Sequence, residues 1–203
     1  KPSDAATEVF RELKKSPGTQ TQQLVSQFRV RGGNPYVQFV NRLLHGQLAN
    51  TAPYRSKHYE LRLFDSFSDF VQTVQERDRK HGLSRMIAGY AWPWQSNKKP
   101  ELFDIEIEDI QLRWNSTSTD WINAPNSVNE VGCIHTTQGY DLNYAGIIFG
   151  REIGYDKARK EIVIRPELYF DRNGKQSIKD PEELKRYILN IYQTILLRGI
   201  RGT

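Results

Sequence analysis

The chain has 203 residues, which is enough for one generous domain or two small ones. Hydrophobic residues make up 37% and charged residues 26%, as in ordinary soluble proteins, and no apolar run reaches the roughly 20 residues of a membrane span. The net charge of +5 is compatible with binding a polyanion. The sequence starts without an apolar leader, so we expect a cytoplasmic protein with no membrane partner.

Cysteine and histidine usage argues against a metal site. The single cysteine, Cys133, can form neither an internal disulfide nor a cysteine-based metal site, and the four histidines lack ligand spacing. Cys133 lies in the apolar run 131–134, where a free thiol usually packs like a small hydrophobe. We therefore predict a buried thiol and no bound metal.

The hydrophobic pattern alternates helices with short strands. Helices are predicted over about residues 5–15, 34–46 and 65–81, with Gly82 ending the third. A strand is predicted over residues 59–64. Three further runs are nearly all apolar or small, which is typical of parallel strands buried on both faces: residues 86–91, 131–134 and 145–149. This alternation indicates an α/β domain with a mainly parallel sheet.

Two patterns predict strands of another kind. Apolar and acidic residues alternate over residues 103–108, which predicts a strand with one wet face. We expect its three carboxylates to face solvent rather than to form a metal or acid–base cluster: Asp104, Glu106 and Glu108. Asn173-Gly174 predicts a hairpin turn after a strand over residues 161–170.

The last helix carries the clearest boundary signals and ends at a candidate site. Asp180 is expected to cap it, Pro181 to take its first position and Gly199 to end it. At about 3.6 residues per turn, Arg198 falls close to the buried stripe of this helix. A core-facing arginine is costly unless an anion or a hydrogen-bond partner meets it. An anion site and a structural ion pair are therefore the two interpretations of Arg198.

Two other segments combine polar and flexible residues. The predicted strand over residues 131–134 runs into polar residues, which at the carboxyl end of an α/β strand often face a ligand crevice: His135, Thr136 and Thr137. An ordinary strand-to-turn transition would use similar residues. Arg29 lies close to Gly32 and Gly33, which would let the backbone approach a ligand. A flexible basic loop is the alternative interpretation there.

Aromatic residues follow the predicted strand over residues 86–91. Trp94 lies nearer the loop and could stack an unpaired base, whereas Trp92 is expected to pack in the core. The phosphate-binding pattern G-x-x-x-x-G-K-[ST] does not occur in the 203 residues. The chain is therefore not expected to hold the triphosphate of ATP by itself.

Four motifs, in this order, resemble the C-terminal RecA-like half of a superfamily 1 DNA/RNA helicase family related to the helicase domains of Schlafen proteins. They are Ser26-Gln27-Phe28-Arg29, the run 84–92, His135-Thr136-Thr137-Gln138-Gly139, and residues 190–192 with 197–202. The resemblance covers about residues 24–203 and leaves residues 1–23 as a connecting segment. It implies an α/β, RecA-like (P-loop NTPase-type) domain whose mainly parallel central sheet is flanked by helices and which lacks its own P-loop.

In superfamily 1 helicases, ATP lies between two RecA-like halves, and the second half supplies arginines that reach the γ-phosphate. By this resemblance the arginines are Arg29 and Arg198. The resemblance implies three residues near the nucleotide: Gln138, Gly139 and Asp141. It implies three residues facing a strand phosphate: His135, Thr136 and Thr137. Two positions depart from the family pattern, because Leu197 replaces a usual Thr and Asp141 replaces a frequent Glu.

The resemblance thus implies the C-terminal motor half of an ATP-dependent DNA/RNA helicase or translocase. Its expected partners are single-stranded DNA or RNA and the N-terminal RecA-like half of the same polypeptide. ATP and Mg²⁺ are expected as cofactors of the intact protein, with none bound by this chain alone. The alternative is a non-catalytic nucleic-acid-binding module of RecA-like ancestry, and a P-loop in the preceding sequence would favour the motor.

The missing P-loop gives a first testable prediction. We expect the purified 203-residue chain to release no phosphate from ATP, with or without single-stranded nucleic acid. A coupled phosphate-release assay measures this directly. ATP turnover that co-purifies with the chain would contradict the assignment.

Overall fold

The computed structural model describes residues 7–22, 27–49, 51–171, 174–175 and 178–203. Parts of three expectations lie outside these residues: the connecting segment before residue 7, Ser26 of the first motif, and Asn173 of the hairpin signal. The helices are α1 (Thr7–Lys15), α2 (Gly33–Leu44), α3 (Phe67–His81) and α4 (Pro181–Leu196). The strands are β1 (Ser84–Ala88), β2 (Ile105–Ile107), β3 (Ile110–Leu112), β4 (Val131–Gly132), β5 (Leu142–Ile148), β6 (Ile153–Asp156), β7 (Glu161–Ile164) and β8 (Gly199–Gly202).

A four-stranded sheet with the order β4-β1-β5-β8 forms the centre of the fold, and all its neighbouring strands are parallel. Every residue of β1 is buried. Met86 belongs to one core cluster and Ile87 to the other, because successive strand residues point to opposite faces. This sheet and its flanking helices confirm the predicted α/β, RecA-like class.

The two core clusters occupy the two faces of the sheet. α3 packs on one face through Phe70 and Val74, while α2 and α4 supply the other cluster. Gly146 allows the close approach of α3, since a Cβ added there would lie 2.6 Å from Val74 Cγ2. Within the described ranges, no helix has the length and apolar character needed to cross a membrane.

Local signals predicted the helices well. Asp180 accepts hydrogen bonds from the backbone of the first turn of α4, which begins at Pro181 as expected. Gly82 ends α3 with a φ of 68°. α2 begins at Gly33, one residue before the predicted start at residue 34. Cys133 is buried, as predicted.

The strand predictions need three corrections. Gly199 does not simply end the last helix, because it begins β8. The segment 59–64 forms only an extended edge, in which Glu60 N donates to Arg201 O at 2.9 Å. β7 ends at Ile164 and pairs with β6, and Gly174 is helical, so the expected hairpin does not form there.

The expectation of a wet carboxylate face over residues 103–108 is wrong at Asp104. β2 begins at Ile105, and Asp104 before it is only 6% exposed. Phe103 instead is 39% exposed and lies under the guanidinium of Arg113, 4.1 Å from its ring centre. Glu106 and Glu108 are exposed, as predicted.

A buried carboxyl group lies between β5 and β6. Glu152 is fully buried, and its Oε1 accepts a hydrogen bond of 2.6 Å from the Tyr192 hydroxyl on α4. Its Oε2 has no hydrogen-bond partner in the part of the chain that the structure describes. Burial raises the pKa of Glu152 above the ordinary value. Protonation of Glu152 is therefore more favourable in the folded protein than in the unfolded chain.

We predict that Glu152→Gln removes a pH-dependent loss of stability. With a raised folded pKa, the contribution of Glu152 to stability is complete below the ordinary glutamate pKa and is lost as the pH rises through the folded pKa. Glutamine keeps an acceptor for Tyr192 but cannot ionise. The wild type should therefore lose stability relative to the variant as the pH rises, by at most about 1.4 kcal/mol per pH unit.

Urea unfolding from pH 5 to pH 8 measures this difference. Glu106→Gln, at an exposed position of β2, is the matched control and should follow the wild type. Identical pH profiles for the wild type and Glu152→Gln would contradict the prediction.

Candidate functional site

Three of the residues singled out in the sequence meet at the end of the central sheet where strands β5 and β8 begin. Asp141 directly precedes β5 and Arg198 directly precedes β8, and these strands pair with Leu142 opposite Gly199. Arg29 arrives from the loop before α2, and its Nε lies 2.6 Å from Asp141 Oδ1. We call Arg29, Asp141 and Arg198 the arginine cluster.

Arg198 is a buried cation with few partners. Its residue is 7% exposed, and its Nη1 donates to the Tyr140 carbonyl at 3.2 Å. Its Nε is buried and makes no hydrogen bond to any described residue. Desolvation lowers the pKa of Arg198, and the positive charge of Arg29 lowers it further, while Asp141 opposes both.

The charge arrangement of the cluster favours an anion. The ion-pair partner of Asp141 is Arg29, so the interpretation of Arg198 as half of a structural ion pair gains no support from the contacts. Two guanidinium groups face a single carboxylate, which leaves a net positive charge. A buried cation with an unused donor is costly unless an anion meets it. The cluster can therefore accept a group with several negatively charged oxygens.

The chain between β4 and β5 connects the two ends of the sheet. His135 is exposed, and its ring centre lies 6.1 Å from that of Tyr90, which follows β1 at the carboxyl edge. Gln138 and Gly139 form an exposed turn nearer to Asp141, with Gly139 at a φ of 88°. His135 thus lies at the end of the sheet where the strands finish, and Asp141 lies at the end where they begin, so the two are not brought together.

The two threonines of this connection are buried. Thr136 and Thr137 donate their hydroxyls to the Cys133 carbonyl at 3.2 and 3.0 Å. Thr136 Oγ1 also accepts from Cys133 N at 3.0 Å. Both side chains therefore hold the turn that presents His135.

Trp94 lies on a loop that a buried carboxylate holds in place. Asp104 accepts hydrogen bonds from Gln95 N at 2.6 Å, from Ser96 N at 2.8 Å and from Trp114 N at 2.9 Å. Trp94 itself is 45% exposed. The loop is thus held by the residue that precedes β2, while it presents an aromatic ring to solvent.

Phe28 is a candidate that the sequence reasoning missed. It is 96% exposed and directly precedes Arg29. Gln27 shapes this loop, because its side chain accepts from Val30 N at 2.8 Å and donates to Val30 O at 3.0 Å. An exposed ring beside the arginine cluster can stack a base. Its position in a motif was the available signal, but a phenylalanine is by default expected in a core.

Comparison with known proteins adds the family. Residues 3–203 match the Schlafen group 3, DNA/RNA helicase domain. The chain belongs to this family. It is also 35% identical over 187 residues to uncharacterized protein YPL245W of Saccharomyces cerevisiae, an alignment that covers 88% of this chain and 40% of that protein. No solved structure matches the chain.

Membership confirms the resemblance to Schlafen-related helicases and gives this helicase domain a helicase-related function on nucleic acid. The chain spans about 40% of the length of the yeast relative. What the whole protein does is therefore a proposal.

The buried carboxylate beneath Trp94 generates a prediction for this helicase domain. Asp104→Ala leaves the buried N–H of Trp114 and two partly buried N–H groups without their acceptor, so we expect the free energy of unfolding to fall by about 2–3 kcal/mol. We also expect the loop to open locally, with faster tryptic cleavage after Lys98, which is exposed on it.

Limited proteolysis and urea unfolding measure the two effects. Asp109→Ala, in the exposed turn between β2 and β3, is the matched control. Equal cleavage rates for the two variants would show that Asp104 does not hold the loop.

Proposed function

We propose that this helicase domain is the C-terminal motor half of an ATP-dependent DNA/RNA helicase or translocase. The observation that carries the proposal is the arginine cluster. It joins Arg29 and Arg198 at one edge of the sheet and leaves the buried Nε of Arg198 without a partner among the described residues. Family membership supports a role in nucleic-acid chemistry.

The residues present fit a nucleotide bound by another segment. Bound to the N-terminal RecA-like half with Mg²⁺, ATP would supply the phosphoryl group that is transferred to water. Arg198 and Arg29 would neutralise negative charge on that group. Gln138 and Gly139 would lie beside the phosphoryl group on their exposed turn. The exposed ring of Phe28 would stack on the base of the nucleotide.

Arg29 is positioned to exchange partners. Its side chain is 47% exposed and that of Asp141 is 54% exposed. Ion pairs with this much solvent contribute only about 0–1 kcal/mol. Arg29 can therefore leave Asp141 for a phosphate at little cost, while Asp141 keeps the guanidinium close to Arg198 beforehand.

Nucleic acid would bind at the opposite end of the sheet, after the last residues of β1 and β4. His135 and Trp94 present exposed side chains there, and an aromatic ring stacks bases irrespective of sequence. Thr136 and Thr137 would contribute by holding the turn and its backbone against a strand phosphate. Since one connection carries both His135 and Asp141, a shift of this connection would link nucleotide state to the strand.

The proposal predicts the behaviour of Arg198→Met in the intact protein. Loss of an arginine finger should lower kcat for ATP by about a thousandfold or more, while affinity for single-stranded nucleic acid stays unchanged. Methionine has a similar length without a charge to bury, so the fold should keep its stability. Steady-state ATPase assays, fluorescence anisotropy and thermal unfolding give the three readouts.

Arg186→Met, at an exposed position on α4, is the matched control and should keep full activity. A wild-type protein without ATP turnover would favour the non-catalytic nucleic-acid-binding module. Arg198→Met that loses its fold would show that Arg198 has a structural role.

A further inference from the structure

A second basic site opens beside β8. A surface pocket of about 330 Å³ is lined by Arg31, Lys57, His58 and Arg201, together with Glu60. We call it the basic pocket. None of its lining residues belongs to the arginine cluster.

The positive charges of the basic pocket are not neutralised. Its acidic residue, Glu60, is held by Arg77, whose Nη2 and Nε donate to the carboxylate at 2.6 and 3.2 Å. Arg201 Nε donates at 3.2 Å to Asn143 Oδ1, which is a neutral acceptor. Arg31, Lys57 and Arg201 have no ion-pair partner within the described ranges. Three cations therefore line one pocket in which the carboxylate of Glu60 is already paired with Arg77.

The surroundings of the pocket show the same positive field. Desolvation lowers the pKa of His81 at the end of α3, and the charges of Arg201, Lys80 and Arg77 lower it further. Glu60 opposes these charges, and the net effect is that the region around Arg201 disfavours further positive charge.

The backbone around the pocket is held in place by β8. Arg31 N donates to Ile200 O at 3.0 Å, and Glu60 N donates to Arg201 O at 2.9 Å. Ser56 Oγ accepts from His58 N at 3.1 Å and shapes the turn that carries Lys57. The backbone that carries the pocket is therefore held in place before any ligand arrives, which lowers part of the entropy cost of binding.

We propose that the basic pocket binds a phosphate group, at a site separate from the arginine cluster. Guanidinium groups match the oxygens of phosphate in pairs, and a lysine adds a mobile point charge. The volume lies at the low end for small-molecule sites, which suits a phosphate with its neighbouring atoms. The phosphate belongs either to a nucleic-acid backbone or to a free polyphosphate. The site does not depend on the chain being a motor.

The test compares two variants that lose the same number of charges in the full-length protein. Lys57→Gln/Arg201→Gln removes two cations of the pocket, and the glutamine amide introduced at position 201 can still donate to Asn143. Lys14→Gln/Lys15→Gln removes two exposed lysines of α1 and is the matched control. Binding of a short fluorescein-labelled oligouridylate is measured by anisotropy over a series of KCl concentrations, and binding of inorganic pyrophosphate by calorimetry.

For a nucleic-acid phosphate, the pocket variant should bind the oligonucleotide about tenfold more weakly at low salt. The slope of log affinity against log salt should shrink by about 0.7 for each phosphate that the variant no longer neutralises. The control should keep the slope of the wild type. Loss of pyrophosphate binding with unchanged oligonucleotide binding would support the pocket with a free polyphosphate as its ligand.

Two results would overturn the proposal. Equal losses in the pocket variant and the control would show a general effect of charge, and unchanged binding of both ligands would show that the pocket holds no phosphate. Lys57→Gln alone, on an exposed turn, provides a variant whose folding is not at risk and should show a smaller loss of the same kind. The Arg198→Met experiment measures ATP turnover and does not depend on these outcomes. The proposed motor function and the proposed phosphate site can therefore fail separately.

Discussion

Strand β8 pairs with β5 so that Gly199 lies opposite Leu142, and this pairing places Arg198 beside Asp141. The same strand carries Arg201 into the basic pocket and binds the backbone of Arg31 through Ile200. Both of the proposed anion sites therefore depend on one short strand. Its glycines are required by packing, because a Cβ at Gly199 would collide with the Gly202 carbonyl.

Sequence reasoning succeeded where the signal was local. The cap and first residue of α4 and the stop of α3 at Gly82 depend on neighbouring residues only, and the structure has them as predicted. The inner strands β1 and β5 were recognised only in part, from the apolar runs in their second halves, because their first halves contain polar residues such as Arg85 and Asn143.

The wrong or missing predictions concern residues whose contact partners are distant in the sequence. The four residues of β8 contain two glycines and an arginine, so no hydrophobic pattern indicates a strand, and only pairing with β5 creates it. Asp104 is buried because donors from the loop at 95–96 and from Trp114 surround it. The family resemblance assigned Arg29 and Arg198 to one nucleotide site, whereas the pairing of Arg29 with Asp141 and the exposure of Phe28 follow from tertiary contacts. The basic pocket likewise joins residues from four segments.

The carboxylate of Asp141 also affects which ions can occupy the arginine cluster, because an ion must displace it from Arg29. A chloride or another singly charged ion offers Arg29 no more charge than the carboxylate it would displace, and it lacks the paired oxygens that suit a guanidinium. A terminal phosphate carries greater charge and several acceptors, so it can compete where simple salts do not. In the proposed anion site, the exposed ion pair is thus a weak competitor that a multiply charged oxyanion displaces more readily than a singly charged ion does.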